Sequence, residues 1–263
     1  MITAAQALVF VIGAAVFAPL ATVASEPESD ASAPPEAAAE TEPPAAFTPS
    51  PPGRITGRVR QAGRAPRQKT VTNDVDVAAC GRTLRPQGIR RDRKGGLAEV
   101  VLELRTLDDT PPDAPWPADQ PLTTVEIDGC RLEPGVVVIP QGTSLDLRCD
   151  DGVLHELLTL PARNEVARLY WPRYKRRVQL PGRHFETPER MRVTCERHGW
   201  TSGTWVVREH RLVTVSDDAG RFVLEDVPPG PYLLRAWHSE LEELVEEVVI
   251  SSGEATELEL TYR

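Results

Sequence analysis

The chain has 263 residues, with 30 Lys and Arg against 39 Asp and Glu for a formal net charge of −9. Six of the carboxylates (Glu26, Glu28, Asp30, Glu36, Glu40 and Glu42) lie in residues 1–53, which hold no Lys or Arg, so 33 acids face 30 bases in the remainder. That near balance argues against a nucleic-acid binder and against a strongly charged surface, while the length allows one or two domains with a sizeable core.

Residues 1–25 read as a secretory signal: residues 2–20 are almost wholly apolar or small, and Ala21-Thr-Val-Ala24-Ser25 has the small residues of a cleavage site. No Lys or Arg precedes the apolar stretch, so an uncleaved membrane tether competes with cleavage. Gly13, Pro19 and the Ala-rich composition favour cleavage. Residues 26–53 are Ala, Pro, Glu and Ser with one aromatic, Phe47, a composition that cannot bury enough apolar surface to offset ordering. They are expected to be a disordered linker.

From Gly53 onward the pattern is all-β. Short alternating runs recur between Gly and Pro punctuation, at Arg54–Val59, Leu97–Leu104, Thr124–Ile127, Gly135–Ile139, Ser144–Leu147, Met191–Val193, Arg221–Leu224 and Tyr232–Trp237. This spacing predicts β-sandwiches. Residues 239–249 have a helix-like pattern, but the β-branched Val245, Val248, Val249 and Ile250 favour a turn and then a strand.

The chemistry concentrates in Val193-Thr-Cys195-Glu-Arg-His198-Gly-Trp200, together with His155 forty residues before the cysteine. One imidazole from a separate strand, with a thiolate and a second imidazole from one tight loop, is a trigonal His₂Cys set suited to copper. The spacing resembles the ligand loop of the cupredoxins, the blue copper proteins. Cys130–Gly142 resembles the edge strand and Gly turn ahead of the first His, Phe185–Cys195 the strand delivering the Cys, and Gly203–Val207 the closing strand. The resemblance covers residues 120–208 and implies copper held by His155, Cys195 and His198 for one-electron transfer or copper handling.

The sequence departs from that family twice. The amicyanin-type axial Met position holds Thr201, a poor ligand, and the loop-fixing Asn six residues before the first His is Cys149. Cys80 and Cys130 lie outside the copper motif and are natural disulfide partners on this resemblance, leaving Cys149 and Cys195. Three outcomes follow: a copper centre, a Cys149–Cys195 disulfide in a metal-free structural or interaction module, or a two-sulfur, two-nitrogen zinc site from Cys149, His155, Cys195 and His198.

A second resemblance sits at the two ends of the β region. Gly53–Pro66 and Val213–Leu234, the latter with Asp217-x-x-Gly220-x-Phe222 and Pro229-Gly-x-Tyr232, resemble a carboxypeptidase regulatory-like domain, a transthyretin-like sandwich. The implied organisation is such a sandwich from residues 54–106 and 209–263, with the cupredoxin-like domain inserted in it or packed against it. The combination is similar to exported proteins associated with methylamine utilisation.

Five histidines are too few for a multicopper oxidase, and one cysteine in the ligand loop is too few for a binuclear copper centre. No acid, base or nucleophile set and no phosphate loop is visible, so a non-catalytic protein is expected. Two basic runs, Arg90–Lys94 and Arg173–Arg177, read as solvated loops, or in the second case as a guide for an acidic redox partner toward His198. The expected setting is the periplasm, with a periplasmic or membrane-bound partner protein and no nucleic acid, and with inner-membrane anchoring if the signal is retained.

Overall fold

The computed structural model describes residues 50–63, 70–84 and 88–263; the expected signal and most of the expected linker lie outside them. In chain order the strands are β1 (Gly53–Gln61), β2 (Val71–Thr72), β3 (Thr83–Leu84), β4 (Val101–Arg105), β5 (Thr124–Asp128), β6 (Arg131–Glu133), β7 (Val136–Pro140), β8 (Leu145–Cys149) and β9 (His155–Leu160). They continue as β10 (Arg168–Trp171), β11 (Arg177–Leu180), β12 (Glu189–Cys195), β13 (Ser202–Arg208), β14 (Val213–Val215), β15 (Arg221–Val227), β16 (Gly230–His238), β17 (Leu241–Ile250) and β18 (Ala255–Tyr262). A single helical turn, α1 (Val77–Cys80), and a 3₁₀ turn at Gly182–Phe185 complete the regular structure of the described residues. The protein is all-β.

Period two decides which face each strand buries. On β15, Phe222 and Leu224 point inward while Arg221, Val223 and Glu225 face solvent. On β12 the buried set is Glu189, Met191, Val193 and Cys195, with Arg190 and Arg192 outward, so the cysteine lies in phase with core residues. On β9 the same rule turns His155 inward with Leu157 and Thr159.

The buried side chains form two main clusters. Ile55, Val59, Leu102, Leu104, Phe222, Leu224, Leu234 and Leu260 belong to the first, under sheets β15-β1-β18 and β14-β4-β16-β17. Val125, Leu132, Ile139, Leu147, Phe185, Met191 and Trp205 belong to the second, between sheets β10-β9-β12-β13-β7 and β11-β8-β5-β6. Val101, Val136, Val206 and Val213 make a small third cluster where β4 and β14 meet β7 and β13. β1 lies between β15, antiparallel, and β18, parallel, so residues 53–61 complete a sheet otherwise built from residues 221–262.

Two expected elements differ and a third, ambiguous one is resolved. The run Leu97–Leu104 becomes a strand only from Val101. Glu99 takes a left-handed φ of 61° because its carboxylate turns inward to Arg90 at 2.9 Å and to the Gly135 N–H at 3.1 Å. The strand expected over Phe185–Cys195 starts at Glu189, after the 3₁₀ turn and Pro188, which cannot donate to a ladder. Residues 239–249 form a turn and then β17, as the β-branched residues predict.

Candidate metal centre

His155 opens β9 and Cys195 closes β12, and these strands are antiparallel neighbours with Cys195 opposite Leu157. The chain then turns sharply. The Cys195 N–H donates to the Thr201 carbonyl at 2.9 Å and the Thr201 N–H to the His198 carbonyl at 2.8 Å, which folds His198 back over the strand ends. His155 and His198 are 0% exposed and Cys195 is 1% exposed.

The three side chains converge through the atoms that bind metals. Cys195 Sγ lies 3.5 Å from His198 Nδ1 and 3.9 Å from His155 Nδ1, and the two Nδ1 atoms are 3.2 Å apart. A triangle with those sides has its centre about 2.1 Å from each corner, the length of a metal–imidazole bond and a little short of a zinc–thiolate bond. The donor set and its spacing therefore fit a transition-metal ion without rearrangement.

The electrostatics favour the thiolate that such an ion requires. Burial pushes the Cys195 thiol up, but its contacts with the two imidazoles, and the hydrogen bond from the Glu156 N–H at 3.4 Å, outweigh it and bring its pKa down to about 6. Burial works against protonation of His155, yet the Asp151 carboxylate and the Cys149 and Cys195 sulfurs raise its pKa to about 11.

Each imidazole also meets a carboxylate on its far side. His155 Nε2 lies 3.3 Å from Asp151, an ion-pair contact without the alignment of a good hydrogen bond. Asp151 is held by the N–H groups of Gly129 at 2.9 Å and Cys130 at 2.8 Å. His198 Nε2 lies 3.1 Å from Asp76, which also accepts from Arg197 Nε at 3.0 Å. Carboxylates behind histidine ligands fix the tautomer and raise the basicity of the coordinating nitrogen.

Of the residues singled out by sequence, His155, Cys195 and His198 come together. Cys80 and Cys130 form a disulfide, as expected. The Cys149–Cys195 disulfide is not formed: both are buried free thiols, Cys195 being turned to the two imidazoles. Cys149 reaches His155 but is not among the clustered metal donors of the described residues. The Thr201 hydroxyl donates to the Cys130 carbonyl.

Both basic runs are partly neutralised. Arg176 pairs with Asp150 and Arg177 with Asp146, while Arg90 pairs with Glu99 and Asp218. Any partner guided to the His198 edge meets Asp76 and Arg197 rather than a bare imidazole. Sequence reasoning missed both carboxylates. Asp151 carried a signal, standing four residues before His155, whereas Asp76 had only its nearness to Cys80.

No protein-family model and no curated protein sequence matches the chain. Parts of solved structures do. A Cu-containing nitrite reductase from Thermus scotoductus SA-01 is similar at 19% identity over 36% of this chain and 25% of its own, with a TM-score of 0.30. A purple cupredoxin from Nitrosopumilus maritimus is similar at 20% identity over 33% of this chain and 99% of its own, TM-score 0.27. A mutant amicyanin in its Cu(I) form is similar at 17% identity over 41% of this chain and 98% of its own, TM-score 0.28. The chain thus spans a quarter of the reductase and nearly all of the other two. The case for copper rests on the site's own donors.

Proposed function

We propose that this is an exported copper-binding protein in which His155, Cys195 and His198 hold one copper ion for electron transfer or copper handling. The observation that carries the reading is the closed triangle of one sulfur and two Nδ1 atoms, a donor set typical of one-electron copper sites. Copper held by these three residues would supply one-electron redox chemistry. The chain's part is to hold the thiolate, aim both imidazoles and exclude water, and the burial of all three side chains supports this. That burial supports a carrier or store rather than an enzyme.

The Cys80–Cys130 disulfide supports an oxidising compartment such as the periplasm. The two main cores and the position of β1 between β15 and β18 support reading residues 120–208 as a cupredoxin-like domain set into a regulatory-like sandwich of residues 54–106 and 209–263. A partner protein, soluble or membrane-bound, belongs to the same reading. The zinc alternative is weaker, because its fourth donor, Cys149, stays outside the cluster.

The test is titration of the metal-free protein with Cu(II). The expected result is one ion bound per chain with an intense visible sulfur-to-copper absorption band. Binding without that band, or no binding, overturns the reading.

A further inference from the structure

Residues 71–84 lie beside the metal donors and belong to neither main core. They form a small loop with its own construction. β2 and β3 pair at its base through Val71 with Leu84 and Thr72 with Thr83. Asn73, only 2% exposed, clasps its interior: its Nδ2 donates to the Gly81 carbonyl at 2.8 Å and its Oδ1 accepts the Val75 N–H at 2.8 Å. At the far end α1 delivers Cys80, whose disulfide to Cys130 pins the loop to the turn between β5 and β6.

The residue this construction presents to the donor cluster is Asp76. It stands at the start of α1 with φ 46° and ψ 40°, a left-handed conformation that costs a non-glycine residue about 1 kcal/mol or more unless its surroundings impose it. From there its carboxylate meets two consecutive loop residues, Arg197 at 3.0 Å and His198 Nε2 at 3.1 Å. His198 is fully buried beneath it, with the Cys80 and Cys130 sulfurs also within 4.8 Å of a His198 ring nitrogen.

We infer that residues 71–84 are a cap over the metal centre and that Asp76 is the positioning residue that aims His198 Nδ1 at the metal. The inference rests on the proposed copper reading and deepens it. Accepting the Nε2–H of His198 leaves Nδ1 as the free donor, and Nδ1 is the atom that faces Cys195 and His155. Asp151 stands behind His155 as an ion-pair contact, so each imidazole has a carboxylate on its far side, one supplied by the loop after β8 and the other by the cap. The Cys195 thiolate and the two carboxylates bring negative charge to the site, part of it offset by Arg197 beside Asp76, and this charge favours a dication over Cu(I).

The test compares wild type with Asp76→Ala, Asp76→Glu and Asp74→Ala, each first shown to melt cooperatively without metal. In the metal-free protein, ¹⁵N NMR of the His198 ring should show the Nε2–H tautomer in wild type and a mixture in Asp76→Ala. With Cu(II) as probe, Asp76→Ala should bind 10–100-fold more weakly, with a raised reduction potential and an altered visible band. Asp76→Glu should restore most of the affinity, and Asp74→Ala, which removes an exposed carboxylate of the same loop, should leave the band and potential as in wild type. A wild-type tautomer, affinity and potential in Asp76→Ala overturn the inference, and so does an Asp74→Ala variant as weak as Asp76→Ala. If the wild-type protein binds no copper, the copper reading fails, while the NMR comparison still decides whether Asp76 positions His198.

Discussion

Cys149 and Cys195 are both buried thiols at strand ends, and they differ in what faces them. Cys195 has two imidazole nitrogens within 3.9 Å and a backbone N–H at 3.4 Å, enough to hold it as a thiolate near neutral pH. Cys149 shares only His155 and stands outside the triangle. Cys195→Ser should therefore abolish the visible copper band, whereas Cys149→Ser should keep it, with affinity changed by less than about tenfold. A four-donor site using both sulfurs would lose metal in either variant, and metal stoichiometry with absorption spectra separates the two cases. Thr201 makes a related point about single residues. Its position in the loop suggested the metal's axial side, yet a hydroxyl beside an unpaired carbonyl bonds to it first, and the Cys130 carbonyl is what it meets.

Elements were legible where apolar residues alternate cleanly and obscure where they do not. β5, β7, β8, β12, β15 and β16 appear within a few residues of the runs that predict them. β10 and β11 flank the Arg173–Arg177 run, so their charge read as a loop, and β2 and β3 are two residues each, too short to carry any period. The cap was invisible for the same reason: its placement depends on a disulfide and a buried Asn, not on a pattern. The ligand loop was legible because Cys-x-x-His packs the chemistry into one tight turn, while its carboxylate supports arrive from distant segments. At this scale Gly203 on β13 is the sensitive position. A Cβ there would lie 2.6 Å from the Gly135 carbonyl and 3.1 Å from Leu132, inside the contact that lets β13 run beside the turn between β6 and β7. Gly203→Ala should destabilise the fold by about 2 kcal/mol and lower Tm by about 4–8 °C. Gly199→Ala, whose Cβ would meet nothing within 4 Å, should leave Tm within about 2 °C of wild type. Calorimetry on the two variants tests the difference, and equal melting temperatures would show that the turn yields without cost.

On the scale of the whole molecule, the first and second cores are joined through the small valine cluster and through one buried charge network. Glu103 on β4 belongs to the first sandwich, and its carboxylate meets Arg208 Nε on β13 of the second at 2.8 Å. His210 Nε2 lies 3.3 Å from the other oxygen, and all three side chains are buried. Burial pushes the Glu103 carboxyl up, but the hydrogen bonds from His210 and Arg208 and their charges outweigh it and hold its pKa at about 2, below the usual 4.5. Because the folded-state pKa is depressed, the network's stabilisation is fully present above pH 4.5 and is lost as pH falls through about 2. Breaking a buried pair from one side leaves Arg208 uncompensated, so Glu103→Gln should cost about 3 kcal/mol at pH 7. The loss should shrink steadily in urea unfolding at pH 4, 3 and 2, because wild type comes to carry the same neutral side chain as the variant. A gap that stays constant across that range would mean that packing around residue 103, rather than its charge, ties the two sandwiches together.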